Sequence, residues 1–309
     1  MKKILFIGGA GFIGSNIIRR LQHEDYEIHV CEPVGAYMQR LNGLEAQVHH
    51  ALLSDIENIS KIIQNNEIEI VVHLVSTLIP GSTYEDYKDE YKNVIFPSIR
   101  LMDLCAQQKV RFVFFSSGGT VYGKRTDIQP FKETDAMNPI SYYGWSKQMM
   151  ENSIQYMNRT VGLDYLVLRP SNSFGHGQNL YGKQGLVAVA IGKLLKNEEI
   201  KVWGDGSAVR DYIYVEDLAN IFVKLIESDI HNTTLNIGSG RGYSVNDVLA
   251  LLKIVSGKDL KIVYQNPRSV DVSNMVLDTT RLKEVINYEL TPFIDGVRKF
   301  YEEVTKGDV

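Results

Sequence analysis

Four glycines near the amino end, in the run GGAGFIG, are the strongest indication of the fold of this chain. They lie between an apolar segment at residues 4–7, typical of a buried strand, and a helical pattern at residues 12–18. A strand, a glycine turn and a helix bring bare backbone N–H groups and the positive end of the helix dipole to one place, which suits a pyrophosphate. A plain tight turn is the alternative, but the flanking strand and helix favour a dinucleotide-binding loop. The predicted contacts come from Gly8, Gly11, Phe12, Ile13 and Gly14.

Glu32 supplies the second half of this pattern. Residues 26–32 predict the next strand, and Glu32 lies at its end, about 20 residues beyond the glycines. A carboxylate there accepts hydrogen bonds from both ribose hydroxyls and repels a 2′-phosphate, so it favours NAD over NADP. The alternative is a solvated carboxylate at a strand end.

Composition narrows the class of protein. The 309 residues are 44% hydrophobic, which is enough for one large core or two lobes. The 33 Lys+Arg against 37 Asp+Glu give a net charge of −4, so we expect no nucleic-acid binding. Cys31 and Cys105 are expected to be buried thiols of a reducing compartment. Because no segment approaches the roughly 18–20 apolar residues of a membrane span, we expect a soluble, cytoplasmic protein without a metal site.

Strand and helix patterns alternate through the first half of the chain. Residues 68–75 and 112–115 predict buried strands, while residues 55–64 and 90–108 predict helices, the second kinked at Pro97. This alternation predicts an α/β fold with a doubly wound parallel (Rossmann) sheet.

Two domains are expected. A helix at residues 141–160 leads into a strand at 165–168, after which the sequence becomes rich in Gly, Asn and Gln. We predict an NAD-binding domain at residues 1–170 with a return at about 211–240, and a smaller, discontinuous substrate-binding lobe at 171–210 and 241–309.

Tyr143 and Lys147 are the candidate catalytic pair, since residues four apart share one face of a helix. A free tyrosine has a pKa of about 10, and a cation one turn away favours its phenolate. Lys147 is also placed to hold the nicotinamide ribose. An ordinary surface pair on a helix is the alternative, and the glycine loop is what argues against it.

Several further motifs follow one another in order along nearly the whole chain. They are Asp55-Ile56, Val72-His73-Leu74, Asn93, residues 115–117, Val121-Tyr122-Gly123, Leu168-Arg169-Pro170, Asn172, residues 210–217, Arg268 and Asp271. Together with the glycine loop and the Tyr143/Lys147 pair, they show that the chain resembles an extended short-chain dehydrogenase/reductase of the nucleotide-sugar epimerase/dehydratase family.

The resemblance implies roles for these residues. It places Asp55 and Ile56 at the adenine ring and Asn93 at the cofactor. Asn172 and Arg210 would hold the diphosphate region of a sugar nucleotide, with Arg268 as a second cation. The substrate-binding set implied is Asn172, Arg210, Tyr212, Arg268 and Asp271. Arginine suits a diphosphate because it can bind phosphate oxygens in pairs. Pairing of Arg210 with a nearby acid such as Asp211 or Asp217 remains an alternative.

The chain departs from the family pattern at Gly118, where the resemblance implies a serine or threonine that polarises the reacting oxygen. The nearest hydroxyls are those of Ser117 and Thr120, and we prefer Thr120 because it shares strand parity with Gly118 if the strand continues. The Asp-Glu pair of family dehydratases is also missing, with Gly119 and Thr120 at those positions. Water elimination therefore lacks its proton donor.

These observations predict an NAD-dependent epimerase acting on a nucleotide sugar, most directly at C4 of a UDP-hexose, through a transient 4-keto intermediate. Two alternatives remain: a 4-ketoreductase that uses external NAD(P)H, and a non-catalytic NAD-dependent sensor. The sequence does not name the sugar. Apolar residues on several faces of the helices at 90–108 and 141–160 predict a homodimer through a four-helix interface; examples are Leu101, Leu104, Met149, Met150 and Ile154. The alternative is that these residues are buried against their own sheet.

Overall fold

A seven-stranded parallel sheet forms the centre of the computed structural model, which describes residues 1–125, 127–267 and 272–307. The strands are β1 (Lys2–Ile7), β2 (Tyr26–Glu32), β3 (Gln47–His50), β4 (Ile70–His73), β5 (Arg111–Phe115), β6 (Tyr165–Pro170) and β10 (Thr233–Ile237). They lie in the order β3-β2-β1-β4-β5-β6-β10. The direction of winding reverses between β1 and β4, and ligands of such sheets bind at the carboxyl ends of the strands beside that point. The predicted α/β, doubly wound fold is confirmed.

Helices cover both faces of this sheet. They are α1 (Phe12–Leu21), α2 (Ile56–Asn65), α3 (Tyr84–Glu90), α4 (Phe96–Gln108), α5 (Tyr142–Val161) and α7 (Val215–Glu227). Helices α1 and α7 pack together on one face, and α2, α4 and α5 lie on the other.

The central strands are apolar throughout because both faces are buried. In β1, Ile4 and Phe6 belong to the cluster with α1 and α7, whereas Leu5 and Ile7 belong to the cluster with α2, α4 and α5. This alternation explains why the strand reads as a continuous apolar run in the sequence.

The helix predicted over residues 90–108 is present but irregular at its start. Helix α3 runs into a π-helical turn at Tyr91–Ile95, and α4 follows without a break, with Pro97 as its second residue. Because Ile95 before α4 is itself helical, Pro97 lies inside a continuous helix, and its missing N–H falls next to the π-helical turn. The kink at Pro97 remains a prediction.

The remaining elements build a smaller unit at the carboxyl edge of the main sheet. Strand β9 (Val209–Tyr214) pairs with β7 (Asn172–Phe174), β11 (Gly242–Ser244) and β13 (Asn274–Met275), and β8 (Ile200–Trp203) pairs with β12 (Ile262–Gln265). A separate apolar cluster joins these strands, apart from β13, to α6 (Leu186–Leu195), α8 (Val245–Ser256) and α10 (Phe293–Lys306). Helix α9 (Thr280–Val285) packs near β10. The domain limits given above remain a prediction.

Across the described residues, no helix combines the length and apolarity that crossing a bilayer requires.

Candidate active site

The glycine loop lies between β1 and α1, at the reversal point of the sheet. Gly8 adopts φ +84°, a left-handed conformation that glycine tolerates best. A Cβ on Gly14 would lie 2.5 Å from the carbonyl oxygen of Gly9, so only glycine allows the first turn of α1 to approach the loop this closely. Gly11 is the N-cap of α1 and has no side chain to cap the helix. The residues present thus leave room for a pyrophosphate at the start of α1.

Glu32 is attached to this loop. Its side chain is buried, and its Oε1 accepts a hydrogen bond of 2.7 Å from the backbone N–H of Ala10. Burial raises the pKa of Glu32, and the Ala10 hydrogen bond opposes that effect. The alternative of a solvated strand end is therefore wrong. A contact with the cofactor ribose remains a prediction.

The other residues assigned to the cofactor lie at the start of α2 and on the π-helical turn. Asp55 is the N-cap of α2, where its Oδ1 accepts a hydrogen bond of 3.2 Å from the N–H of Asn58. Ile56 is the first residue of α2 and packs half-buried against the sheet. Asn93 is exposed on the π-helical turn. Their cofactor contacts stay predictions.

Tyr143 and Lys147 lie one turn apart near the start of α5, whose N-cap is Ser141. The Lys147 Nζ donates a hydrogen bond of 3.0 Å to the carbonyl oxygen of Phe115 at the end of β5. It also lies 5.8 Å from the centre of the Tyr143 ring. The surface-pair alternative is wrong, because Lys147 is buried. Burial lowers the pKa of Lys147 to about 8, although the charges of Glu90 and Glu151 oppose this.

The environment of Tyr143 makes its phenolate costly. Burial raises the pKa of Tyr143, and the charge of Glu90 raises it further. The Ser117 hydroxyl acts in the opposite direction, as a hydrogen-bonding neighbour that lowers this pKa. Ser117 is therefore the hydroxyl that the fold brings to the candidate base.

The position of Gly118 changes the interpretation of the missing hydroxyl. A Cβ on Gly118 would lie 2.6 Å from Leu277 Cδ1 and 2.9 Å from the carbonyl oxygen of Arg169. Its side-chain direction thus points into the protein interior, so a serine there could not face the site. Strand β5 ends at Phe115, so the strand-parity argument for Thr120 is wrong. Thr120 nevertheless lines the cavity, and its buried hydroxyl has no hydrogen-bond partner within the described ranges.

A cavity of about 470 Å³ joins these groups. Its wall includes Phe12 and Ile13 of α1, the hydroxyl-bearing Ser117, Thr120 and Tyr143, and Asn172 with Arg210 from the smaller unit. Among the described residues that line it, none carries a carboxylate.

A second cavity of about 310 Å³ adjoins the first, because both are lined by Asn172, Ser173 and Arg210. Its other walls include Trp203 and Tyr212. A planar aromatic surface beside a cation suits the base and phosphates of a nucleotide.

Two acids near Arg210 in the sequence are engaged by other groups. The Asp211 carboxylate accepts hydrogen bonds from the N–H and hydroxyl of Ser239 at 2.9 and 2.7 Å. Asp217 accepts from the N–H and hydroxyl of Thr291 at 2.8 and 2.9 Å. Asn172 Nδ2 donates to the carbonyl oxygen of Asp211 at 2.8 Å, which fixes its amide beside Arg210. Arg268 and Asp271 lie outside the described residues.

Sequence reasoning missed a buried network beneath the site. Arg169 Nη2 lies 2.6 Å from Glu151 Oε2, and both side chains are nearly inaccessible to solvent. Ser116 donates to the same carboxylate, and Arg169 Nη1 donates to the hydroxyl of Tyr122 at 2.8 Å. The signal was present, because Glu151 follows Lys147 by four residues on α5.

The class of this protein follows from two features of the fold and the site. The chain has a Rossmann sheet with a glycine loop, and a tyrosine and a buried lysine lie on one helix beside it. These features define the short-chain dehydrogenases/reductases. Residues 4–238 match the model of the NAD dependent epimerase/dehydratase family, and the chain belongs to this family. The predicted family, the enzyme class and NAD as cofactor are therefore confirmed.

Similar proteins cover almost the whole chain. A putative UDP-glucose 4-epimerase of Methanocaldococcus jannaschii is 30% identical over 283 residues, which are 91% of this chain and 92% of the relative. The dTDP-4-dehydro-6-deoxyglucose reductase of Escherichia coli is 28% identical, with 97% of each chain covered. The UDP-glucose 4-epimerase of Thermotoga maritima, solved with UDP-glucose, is 33% identical; its TM-score is 0.92, with 99% of this chain and 100% of that chain covered.

Proposed function

We propose that this protein epimerises a nucleotide sugar at C4, with a UDP-hexose as substrate. The carrying observation is that one cavity is lined by the start of α1, by Ser117 and Tyr143, and by Arg210. In this proposal the start of α1 binds the dinucleotide and Arg210 binds the diphosphate of the substrate. Tyr143 acts as the base on the sugar between them.

The chain's own groups handle the proton and the orientation. Tyr143 takes the proton of the C4 hydroxyl, helped by the positive charge of Lys147 one turn away. Ser117 donates a hydrogen bond to the same sugar oxygen as that oxygen becomes a carbonyl oxygen. After the keto sugar has turned its opposite face towards the cofactor, Tyr143 returns the proton to the C4 oxygen. Bound NAD supplies the hydride acceptor and donor. Gly8, Gly14 and Glu32 would hold it.

The lining of the cavity argues against water elimination. The cavity lacks a carboxylate among its described residues, and Gly119 and Thr120 occupy the positions that the resemblance gives to an acid pair. Without an acid near C5 and C6, a leaving hydroxyl receives no proton. A reaction that ends with the return of the hydride needs no such group.

The base of the nucleotide is assigned to the adjoining cavity. Trp203 and Tyr212 offer aromatic surfaces there, and Arg210 lies where the two cavities meet. In this arrangement the sugar faces Tyr143, and the diphosphate lies between Asn172 and Arg210.

The test is epimerisation of UDP-glucose, UDP-N-acetylglucosamine and UDP-glucuronate without added cofactor, followed by chromatography of the products. Substrate labelled with deuterium at C4 should keep its label in the product, because the hydride returns to the carbon it left. Complete loss of label to solvent, or no conversion of any of the three, would contradict the proposal.

A ketoreductase is the second candidate, and the similarity to the reductase of Escherichia coli favours it. It predicts stoichiometric oxidation of added NADH or NADPH with a 4-keto nucleotide sugar, and no conversion between epimers. The same chromatographic assay, run with and without reduced cofactor, separates the two functions.

We also propose a homodimer through α4 and α5. The residues that suggested it are mostly buried within their own chain: Leu101, Leu104, Met150 and Ile154 all pack inside. Support comes instead from four exposed aromatic residues on or beside these helices: Tyr91, Phe96, Trp145 and Tyr156. Sedimentation at micromolar concentration should give twice the mass of one chain.

A cytoplasmic location is proposed because Cys31 and Cys105 are buried free thiols.

A further inference from the structure

One loop, at residues 175–185, connects β7 to α6 and contacts both halves of the molecule. It leaves β7 through Gly175 and Gly177, which have φ +135° and +75°. Farther along, Gln178, Gln184 and Gly185 line the main cavity opposite Phe12 and Ile13 of α1. The loop and α1 therefore form two walls of the space assigned to the dinucleotide.

Backbone atoms of this loop are held by side chains of the NAD-binding half. Asn16 Nδ2, on α1, donates hydrogen bonds to the carbonyl oxygens of His176 at 2.9 Å and of Phe12 at 2.8 Å. Arg40 Nε donates to the carbonyl oxygen of Gly177 at 2.8 Å. One amide group thus joins the first turn of α1 directly to the loop.

The ring of His176 extends this connection to the opposite side. Its Nε2 lies 3.2 Å from Arg19 Nη2 on α1. A guanidinium can only donate, so Nε2 accepts and the ring proton belongs on Nδ1. Nδ1 in turn lies 3.5 Å from Oε2 of Glu303 on α10, a close contact without a hydrogen bond, since this buried oxygen has no hydrogen-bond partner among the described residues. The Glu303 Oε1 accepts from the Tyr214 hydroxyl at 3.4 Å, which anchors this carboxylate to the smaller unit.

We propose that His176 is a positioning residue that latches α1 to α10 and so retains NAD in the cleft between turnovers. The start of α1, where the pyrophosphate is assigned, and the loop that carries His176 both line the cavity. The His176 ring joins this loop to α1 through Arg19, so loss of the contact would let these two walls separate. The proposal rests on the proposed function, in which the hydride returns and the cofactor has no need to leave.

The experiment measures the release of NAD from the loaded holoenzyme. Protein saturated with NAD is desalted and mixed with excess alcohol dehydrogenase and ethanol, which reduce only free NAD, and the absorbance of NADH gives the release rate. The variants are His176→Ala, Arg19→Ala and His176→Gln. Arg20→Ala is the matched control, because Arg20 bonds Asn220 at 2.7 Å and Glu24 at 2.7 Å rather than the loop.

We expect His176→Ala and Arg19→Ala to release NAD about tenfold faster. This corresponds to a free-energy barrier to NAD release that is lower by about 1.4 kcal/mol. His176→Gln, whose amide oxygen can still accept from Arg19, should restore most of the slow release. Arg20→Ala should match the wild type. Arg19 is exposed, so its variant keeps the test available if His176→Ala does not fold.

If His176→Ala and Arg19→Ala release NAD at the same rate as Arg20→Ala, the proposed role of His176 is overturned. Equal acceleration in all four variants would also overturn it, because a general loosening of α1 would then be the cause. The outcome is separable from that of the proposed function. Faster release by His176→Ala in a protein that epimerises no UDP-sugar leaves the latch standing, whereas unchanged release in an active epimerase removes the latch alone.

Discussion

The ammonium nitrogen of Lys147 and the backbone carbonyl oxygen of Phe115 are joined by a hydrogen bond of 3.0 Å. This bond ties the helix that carries Tyr143 to the end of the strand that precedes Ser117. It also leaves the Lys147 charge buried within 5.8 Å of the Tyr143 ring. One side chain therefore holds the helix of the candidate base against β5 and also places a buried ammonium group one turn away from that base.

Replacing Tyr143 with phenylalanine should lower turnover by about 10²-fold or more, because the proton acceptor is lost while the cavity keeps its shape. Bound NAD should remain at the wild-type level. Epimerisation and cofactor content are measured on the same sample. Tyr142→Phe is the control, since its ring stacks on the buried Tyr87 of α3 and does not line the cavity. Near-normal turnover in Tyr143→Phe would refute the assignment.

Glu32→Ala should weaken NAD binding by about tenfold or more and reduce discrimination against NADP. The buried carboxylate is held by Ala10 at the point where the cofactor ribose is expected. Titration with both cofactors measures the effect. Glu32→Gln separates two causes, because its amide oxygen can still accept from Ala10 but repels no phosphate. Unchanged affinities in Glu32→Ala would show that Glu32 is not the ribose acid.

Ser117→Ala should reduce kcat by about 10²-fold with little change in KM, because its hydroxyl acts on the oxygen that gains charge in the transition state. Thr120→Val, which keeps the side-chain shape, should have the smaller effect. Steady-state kinetics of both variants decide between the two hydroxyls. A large loss in Thr120→Val with none in Ser117→Ala would move the role to Thr120.

Gly118→Ala should lower the free energy of unfolding by about 1–3 kcal/mol, because the new Cβ meets Leu277 and the Arg169 carbonyl oxygen. Gly119→Ala is the matched control, since its nearest contact beyond the adjacent residues is 3.8 Å away. Urea denaturation of both variants gives the comparison. Equal stabilities would show that the loop at Gly118 is not packed as described.

Activity should fall as the pH rises through about 8. Burial lowers the pKa of Lys147 to about 8, so its charge is present below that pH and is lost above it. Without the cation the Tyr143 phenolate loses its stabilising neighbour. The pH profile of kcat measures this limb, and Lys147→Arg should move it upward because arginine stays charged. If the decrease in kcat stays near pH 8 in Lys147→Arg, it results from the titration of another group.

Local patterns were sufficient for the fold and the cofactor loop. An apolar run flanked by turn residues specifies a strand buried on two faces, and GGAGFIG specifies a close approach that other side chains would block. The position of α5 was predicted to within one residue, because Ser141 is a good N-cap and accepts from the N–H of Gly144.

Local patterns predict the Rossmann sheet, the glycine loop and the spacing of Tyr143 and Lys147, since each depends on neighbours within a few residues. Long-range contacts in the folded chain bury Glu32, turn Gly118 inward and bring Ser117 beside Tyr143. They also join Asn16 to His176, which are 160 residues apart. Such contacts form where loops from different strands meet at one edge of the sheet. They are stabilised by packing between residues far apart in the sequence, which a local sequence pattern does not contain.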